Sequence, residues 1–378
     1  MGLATATFVG SLRVRAWRNF DPQLLLYVAL LVAFGVLMGY SAGFGTPLAG
    51  EQLSQTVKTL IWAAIGLTVF FAAASVDYQW LRTLAVPVYL VMVGLLVLTM
   101  AVGTNLFGAQ MSLTLLGLDF QVSEVSKVLM VTVLAAFLSG RGRRISGPST
   151  IGLAIALVAV PAFLVFSQPD LGTALVFGAL LAGMLFMSGA SIGWLATLAG
   201  AALAAVPVAV SLLHEYQRQR LFCFLDPMLD PQGACFQLVQ ALNAVGSGGL
   251  VGRGLTVGAE GQRGYVPVQT TDFVFTVVAE DLGFVGGVVL LTLFGLLLWR
   301  ILLIGWGAHD SFGRLIAAGL ASIIVFQVVV NVGMVIGIMP VTGIPLPFIT
   351  YGGSSLISLL FGLGILESVR MRSHRPRL

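Results

Sequence analysis

The chain has 378 residues, of which 58% are hydrophobic and only 9% are charged, and its formal net charge is +4. Soluble domains carry nearer a quarter charged residues, so soluble enzymes, nucleic-acid readers and disulfide-stapled secreted domains are excluded. Most of the basic residues stand in short clusters beside apolar runs, which is typical of membrane-topology signals and not of a nucleic-acid surface.

Apolar runs of about twenty residues, long enough to cross a bilayer, recur along the chain. The first run follows Arg13, Arg15 and Arg18 and is too long for a signal-peptide core, so we predict a retained helix. The fold class is all-α: a polytopic integral membrane helix bundle that forms one domain over residues 1–378. Ten helices are predicted, at about 22–43, 56–75, 81–103, 122–139, 150–167, 171–188, 191–213, 273–305, 312–338 and 351–370.

The distribution of basic residues predicts the orientation of this bundle. If the N-terminus is cytoplasmic, thirteen of the nineteen basic residues lie on the cytoplasmic side. They are Arg13, Arg15, Arg18, Arg82, Arg141, Arg143, Arg144, Arg300, Arg314, Arg370, Arg372, Arg375 and Arg377. We therefore expect both termini in the cytoplasm, residue 145 inside and residue 230 outside.

One long polar segment, about 214–272, interrupts the apolar runs on the predicted outer side. It contains the apolar stretch 236–245, so we predict an extracytoplasmic loop that is partly structured and folds back onto the bundle. For Cys223 and Cys235 we expect two free thiols, with a disulfide on an oxidising side as the alternative. The long loop also carries four arginines, which form either a solvated face or a site for a phosphate-bearing head group: Arg218, Arg220, Arg253 and Arg263.

Ionisable groups at bilayer depth are costly, so each one needs a partner or a function. Glu124 and Lys127 lie three residues apart on one predicted helix face, where they pair as a structural salt bridge or as part of a site. Asp170 follows Pro169 between two helices, and it is either a helix N-cap or a functional acid.

Further acids stand where the long loop enters the eighth predicted helix. Asp272 is again either an N-cap or a functional acid, and of the adjacent Glu280 and Asp281 at least one should face protein. The cysteines and histidines form neither a CxxC pair nor a His cluster, so a protein-held zinc or haem is not expected.

Several sequence blocks together point to one protein family. They are Gln121-Val122-Ser123-Glu124 with Lys127; 168–174; Arg220 with 224–227; 244–254; Thr271-Asp272-Phe273; 331–334; 340–348; and 351–355. These blocks resemble the motifs of the SEDS membrane proteins, which include the elongation protein RodA and the division protein FtsW. Five positions depart from the family pattern, and some of them bear on substrate or partner binding: Met111, Ser112, Val122, Val268 and Thr270.

The resemblance implies a peptidoglycan glycosyltransferase of the bacterial inner membrane that polymerises lipid II, with a class B penicillin-binding protein as partner and no nucleic acid. The short tails and the segment 77–98 favour a RodA-like role in elongation. A lipid II flippase and a non-catalytic scaffold stay open as alternatives.

An inverting transfer from an α-linked pyrophosphate requires a base for the acceptor hydroxyl and a cation for the departing pyrophosphate. We choose Asp272 as the base because it joins the outer loop to the bundle. The supporting residues are expected to be Glu124, Lys127, Asp170, Arg220, Arg253 and Glu280. No cofactor is certain, and a divalent cation such as Mg²⁺ is left open.

Helices eight and nine carry five aromatic residues that we expect on their outer surface. They face lipid, the membrane interface or the single helix of the partner: Phe284, Phe294, Trp299, Trp306 and Phe312.

Overall fold

The computed structural model describes residues 17–43, 49–106, 109–115, 118–213, 215–256 and 272–373. Nine helices in this part of the chain are long and apolar enough to cross a membrane, and the shorter apolar helix Ala85–Ala101 is a tenth candidate. The predicted polytopic helix bundle is confirmed. The helices are α1 Pro22–Gly43, α2 Ala49–Ser75, α3 Gln79–Thr83, α4 Ala85–Val102, α5 Val122–Ser139, α6 Pro148–Ser167, α7 Leu171–Ser188, α8 Ile192–Leu212, α9 Glu215–Leu225, α10 Phe236–Gly248, α11 Val274–Trp306, α12 Ser311–Val335 and α13 Gly353–Arg372.

Three predicted helices differ clearly from the observed ones. The predicted helix 56–75 begins earlier, at Ala49. The predicted helix 81–103 is divided into α3 and α4, because Leu84 leaves the helical region with φ −89° and ψ 9°. The predicted helix 312–338 ends at Val335, and the turn that follows contains Gly337 with a φ of 76°. Glycine is the residue that adopts this conformation at least cost.

A three-stranded antiparallel sheet connects α4 to α5, and the sequence did not predict it. Its strands are β1 Thr104–Leu106, β2 Ala109–Leu115 and β3 Leu118–Gln121, with Ser112 opposite Gln121 in the pairing of β2 with β3. The backbone N–H of Gln121 donates to Ser354 Oγ at 3.0 Å, so the sheet is tied to α13. We call the end of the bundle with this sheet, α9 and α10 the sheet end.

The helices differ strongly in how much of their surface is covered by protein. α12 is central and packs against α5, α7, α10, α11 and α13, while the most extensive pairing joins α2 to α13. α8 is the opposite case, since none of its described side chains is buried. Core helices and lipid-facing helices are therefore built from similarly apolar sequences.

The long loop folds back onto the bundle in its described part, as predicted. α10 packs on α11 and α12, and α9 precedes it. The expectation of free thiols is wrong, because Cys223 and Cys235 form a disulfide. The chain turns between α9 and α10, which brings Cys223 in the last turn of α9 to Cys235 immediately before α10.

The helix α11 is interrupted near its start, at Gly283 (φ 65°, ψ −160°). Residues 249–254 lie against this break and pair with its backbone: Phe284 N–H donates to Gly249 O at 2.9 Å, and Gly254 N–H donates to Asp281 O at 3.0 Å. Backbone groups freed by a break at membrane depth must find protein partners. The loop after α10 supplies these partners.

An ionic cluster joins three helices at the end opposite the sheet end. Asp21, before α1, accepts hydrogen bonds from Arg300 of α11 at 2.7 Å, and Arg370 of α13 lies 3.9 Å away. The backbone N–H of Asp21 donates to the buried Glu367 at 2.8 Å. The first and last membrane helices are therefore fixed to one another.

The predicted aromatic surface is confirmed only in part. Phe284, Trp299 and Trp306 are exposed, but Phe294 and Phe312 are buried, so the prediction is wrong for these two residues. Phe312 stacks on Tyr78 with ring centroids 6.0 Å apart, and both side chains are buried.

Candidate active site

Five of the seven acids and cations predicted to be functional meet at the sheet end, next to α9. Asp170 interacts electrostatically with Lys127 and Glu124, and Asp272 interacts with Arg220 and Asp170. Four segments that are distant in sequence supply these side chains: α5, the link between α6 and α7, α9, and the residues before α11.

Glu124 and Lys127 form the predicted ion pair in the first turns of α5. Lys127 Nζ donates to Glu124 Oε1 at 2.6 Å, and each side chain is 3% exposed. A buried pair of this kind is costly to break, because the remaining charge is left without compensation. Lys127 therefore forms an ion pair with Glu124 and interacts with Asp170 only through its charge.

Asp170 caps α7, as one of its two predicted roles requires. Its Oδ1 accepts the Thr173 N–H at 2.9 Å, while Oδ2 accepts weaker contacts from Ser123 at 3.4 Å and Gln121 at 3.5 Å. Burial raises the pKa of Asp170, and the hydrogen bonds from Thr173 oppose this rise. The cap also joins α7 to the start of α5.

Asp272 does not cap α11, which corrects the simpler of its two predicted roles. The N-cap position is Phe273, and no side chain caps it. Asp272 is instead held by its main chain, since its carbonyl oxygen accepts from Asn331 Nδ2 at 2.8 Å. The same Nδ2 donates to Ile344 O at 2.7 Å, so Asn331 fixes Asp272 relative to the loop after α12.

The carboxylate of Asp272 and the guanidinium of Arg220 both border the position that a side chain on Gly343 would occupy. A Cβ on Gly343 would lie 3.4 Å from Asp272 Oδ2 and 4.0 Å from Arg220 Nη1. The ion pairs among the described residues do not include Arg220 with Asp272. Gly343 therefore leaves a small space between a carboxylate and a guanidinium.

Burial raises the pKa of Asp272 to about 6, with a smaller contribution from the charge of Asp170. The guanidinium of Arg220 opposes this rise. A carboxylate with such a pKa is mostly ionised at neutral pH and is more basic than an ordinary aspartate, as a general base requires.

Arg220 reaches the site from α9, whose first turn is attached to the link that carries Asp170. Tyr216 Oη donates to Pro169 O at 3.2 Å and Gln217 Nε2 donates to the same oxygen at 3.5 Å. The guanidinium of Arg220 lies 5.8 Å from the centre of the Tyr216 ring. α9 therefore lies against the link that carries Asp170 and brings Arg220 to the site.

Arg253 and Glu280 lie in a different place from the other predicted site residues. Eight residues of helix rise separate Glu280 from Asp272, which is about 12 Å. Arg253 Nε donates to Ser247 O at 3.2 Å, and its backbone N–H donates to Glu280 O. Glu280 and Asp281 are both buried, and Asp281 accepts a hydrogen bond from Ser41 of α1. These residues stabilise the break in α11.

The divalent cation that the sequence left open at this site stays a prediction. In the part of the chain that the structure describes, no three His, Cys, Asp or Glu side chains converge on one point. Mg²⁺ is commonly held by one or two carboxylates together with water and substrate phosphates, and Asp170 and Asp272 are the carboxylates at this site. We derive no step through a metal ion.

Comparison with known proteins agrees with this architecture. The family model that groups FtsW, RodA and SpoVE, described as "Cell cycle protein", matches residues 22–375. The chain belongs to this family. The resemblance to SEDS proteins, drawn from short motifs, is therefore confirmed over nearly the whole chain.

Members of the family match over almost their full length. The peptidoglycan glycosyltransferase MrdB of Escherichia coli K12 is 37% identical over 363 residues, which is 95% of each chain. Stage V sporulation protein E of Bacillus subtilis is 38% identical over 361 residues, covering 93% of this chain and 98% of that protein.

Solved structures of the family share the fold. A chain from a study of how a peptidoglycan synthase complex coordinates polymerization and crosslinking superposes with a TM-score of 0.81 at 33% identity, over 94% of this chain and 99% of that one. The rod shape determining protein RodA of Thermus thermophilus gives a TM-score of 0.70 at 31% identity, over 95% and 99%.

Residue-by-residue reasoning missed three contributors to this SEDS site. Asn331 and Gly343 stand in the C-terminal blocks that carried the resemblance, but their contacts with the Asp272 region depend on how the loop after α12 folds. Ser123 belongs to the motif at the start of α5, and the fold brings its hydroxyl to Asp170. Arg263, Val268, Thr270 and Thr271 lie outside the described residues.

Proposed function

We propose that this chain polymerises lipid II and that Asp272 is the general base of the transfer. The chain is a peptidoglycan glycosyltransferase of the RodA type, as its full-length similarity to MrdB and RodA indicates. The observation that carries our assignment of the base is the buried carboxylate of Asp272, whose pKa is raised to about 6 and which borders, together with Arg220, the position that a side chain on Gly343 would occupy.

The transfer requires a group that accepts the proton of the acceptor hydroxyl, and we assign this role to Asp272. The acceptor sugar hydroxyl attacks the anomeric carbon of the donor, a β-1,4 bond forms, and the α-linked undecaprenyl pyrophosphate leaves from the opposite face. The hydroxyl must lose its proton during this attack, and Asp272 accepts it. The carboxylate is thereby neutralised, which its buried environment favours.

The departing pyrophosphate gains negative charge and requires a cation. Lys127 is already paired with Glu124 at 2.6 Å, so we assign this task to Arg220, whose planar guanidinium matches two phosphate oxygens. The pair of Glu124 with Lys127 and the cap at Asp170 hold the surrounding helix ends in place.

The sheet end faces the outside in this proposal, in the bacterial inner membrane, with both termini in the cytoplasm. Two observations support this orientation. The arginine clusters concentrate at the opposite end, and a disulfide lies at the sheet end, where an oxidising compartment maintains it. The prenyl chain of lipid II then stays in the bilayer beside the helices.

The proposed partner is a class B penicillin-binding protein. The solved complex to which this chain is similar coordinates polymerization and crosslinking, and crosslinking is the reaction of such a partner. Phe284, Trp299 and Trp306 of α11 leave an exposed aromatic surface for a single membrane helix. Co-purification with such a protein, with a paralogue as control, tests this part.

Neither alternative class is favoured. A flippase requires charged groups along a path through the membrane, whereas Glu124, Lys127, Asp170 and Asp272 all lie toward the sheet end. A scaffold requires no base with a raised pKa. The relatives are also named as glycosyltransferases.

The test is polymerisation of labelled lipid II by the purified Asp272→Asn variant. If Asp272 is the base, we expect a loss in rate of roughly a hundredfold or more with little change in lipid II binding. The matched control is Asp230→Asn in the same loop, whose exposed side chain accepts the Ala234 N–H, so its rate should stay unchanged.

Stability provides a second readout of the same variant. The folded-state pKa of Asp272 is higher than its ordinary value, so the charged form is destabilising above about pH 6. We expect the melting temperature of Asp272→Asn at pH 7.5 to equal or exceed that of the wild type. Near-wild-type polymerisation by this folded variant would contradict Asp272 as the base and leave Asp170 and Glu124 as the candidates.

A further inference from the structure

The helix α9 is attached to the bundle at both of its ends. Near its start, Tyr216 and Gln217 donate hydrogen bonds to Pro169 O. In its last turn, Cys223 is bonded to Cys235, the residue before α10. Much of the helix surface is exposed, for example 49% of Phe222 and 70% of Leu225. Packing alone therefore holds α9 weakly.

The far side of the disulfide is firmly anchored. Cys235 is 2% exposed, and α10, which follows it, packs on α11 and α12. α10 also lies close to the break in α11, since a Cβ on Gly248 would lie 1.9 Å from Ala279 O. The disulfide therefore joins a weakly packed helix to a rigid part of the molecule.

Arg220 lies on α9 between the two attachments. It stands three residues before Cys223, so both side chains leave the helix on the same face. Cys223 is 4% exposed, which shows that this face points into the protein. Any rotation or lifting of the last turn of α9 would carry the guanidinium of Arg220 away from Gly343 and Asp272.

We propose that the Cys223–Cys235 disulfide is a positioning element of the polymerase, which holds the Arg220 guanidinium opposite Asp272 by fixing α9 to α10. This inference rests on the proposed roles of Asp272 and Arg220. The oxidised chain is the active form, and a chain with two thiols has a mobile α9 and a displaced cation.

The proposal predicts a change in pH dependence as well as in rate. Two charged groups lie near Asp272, namely Arg220 from α9 and Asp170 from the link after α6. The pair of Glu124 with Lys127 from α5 lies beyond Asp170. α12 contributes the neutral Asn331. Arg220 is the group that lowers the pKa of Asp272. Its displacement raises this pKa, so the acid limb of the rate profile moves to higher pH.

The experiment compares four proteins in lipid II polymerisation across pH: wild type, Arg220→Gln, the double variant Cys223→Ala with Cys235→Ala, and the combination of all three changes. Alanine suits both cysteine positions because they are buried. We expect Arg220→Gln to lower kcat about a hundredfold and the double variant to lower it about tenfold, since a displaced guanidinium still reaches the site part of the time.

The combination separates positioning from a general effect on folding. If the disulfide acts through Arg220, the triple variant should be no slower than Arg220→Gln alone, and the double variant should show the shifted acid limb. Multiplicative losses, or a slower double variant with an unshifted limb, would overturn the proposal. The matched control is Arg218→Gln, an equal loss of charge on α9 at an exposed side chain, which should leave the profile unchanged.

Reduction of the wild type gives the same comparison without mutation. A dithiol such as dithiothreitol converts the disulfide to two thiols and is itself oxidised to a cyclic disulfide. We expect the reduced wild type to reproduce the double variant, and the double variant to be insensitive to the reagent. Full activity of a chain shown by thiol labelling to be reduced would overturn the proposal, whereas an active Asp272→Asn would overturn the assignment of the base.

Discussion

Gly343 determines how much space lies between the carboxylate of Asp272 and the guanidinium of Arg220. Its φ of 72° is a conformation that other residues rarely adopt, and both charged groups lie within 4.0 Å of where a Cβ would be. An alanine here therefore has two effects, backbone strain and obstruction of the space.

The variant Gly343→Ala should lower both stability and substrate use. We expect a loss of roughly 1–2 kcal/mol from the left-handed backbone and a fall in kcat/KM from the added methyl group. Gly189→Ala is the matched control, because Gly189 has a φ of 86° but no atom within 4 Å of its Cβ position. It should lose similar stability and keep kcat/KM; equal catalytic losses in both variants would contradict the obstruction.

The charge of Asp170 should be visible in the pH profile of polymerisation. With Asp272 as the base, kcat/KM should fall as pH decreases through about 6, where the carboxylate takes up a proton. Asp170 raises the pKa of Asp272, so Asp170→Asn should move this limb to lower pH. Asparagine still accepts the Thr173 N–H, so α7 remains capped. A limb that stays in place or moves upward would argue against this coupling.

At the residue scale, local contacts could be predicted and distant ones could not. The spacing of Glu124 and Lys127 predicts their ion pair because a helix turn alone brings them together. An N-cap role for Asp272 would also depend only on local structure, yet the N-cap position of α11 is Phe273. The disulfide, the contact of Asn331 with Asp272 and the space at Gly343 all depend on how separate segments fold.

The interruption of α11 is the most demanding feature at the scale of single elements. At Gly283 the helix changes direction, and residues 249–254 approach so closely that a Cβ would lie 2.3 Å from Gly252 N and 2.7 Å from Leu250 C. The break, the buried Glu280 and Asp281, and the loop after α10 therefore form one unit.

We expect Gly283→Ala to be strongly destabilising. The backbone conformation alone costs about 1–3 kcal/mol for a residue with a Cβ, and the clash with Gly252 adds to this. The measurement is the melting temperature of the purified protein in detergent. Gly295→Ala in the same helix, with no atom within 4 Å of its Cβ position, is the control and should be tolerated. Equal melting temperatures for both variants would contradict the close contact.

Element boundaries followed from hydrophobicity wherever a span is uniformly apolar. The predictions 22–43 and 171–188 match α1 and α7 because a polar or turn-forming residue marks each end. The sheet at Thr104–Gln121 was missed because its strands are short and lie between two apolar runs. The division of the third predicted helix at Leu84 does have a signal in the sequence, because Pro87 in the first turn of α4 has no N–H to donate to Thr83 O, and the prediction did not use it.

For the whole molecule, the sequence predicts which segments cross the membrane but not how they pack. α8 and α12 are both apolar enough to span a membrane, with mean hydropathies of 1.8 and 2.3, yet the first has no buried side chain among those described and the second is the centre of the bundle. Lipid is as apolar as a protein core, so composition does not separate lipid-facing helices from buried ones.

The orientation of the whole molecule can be tested with reporter fusions. We expect a fusion at residue 145 to report the cytoplasm and one at residue 230 to report the outside, because the arginine clusters and the disulfide lie at opposite ends. Ser191 is an internal control, since its N–H donates to Ser146 Oγ at 3.0 Å and both must lie on one side. Reversed signals at 145 and 230 would reject the orientation.

The pairing of α2 with α13 has a consequence for biosynthesis. α2 ends at Ser75 and α13 begins at Gly353, so the ribosome must add nearly the whole chain before the most extensive helix contact can form. At about 5–20 residues per second, that interval is on the order of ten seconds to a minute. Asp21 likewise waits for Arg300 and Arg370 to be translated. The early helices must therefore persist in the bilayer as an unfinished assembly, and the nascent chain reaches its final packing only when its last helix has been inserted.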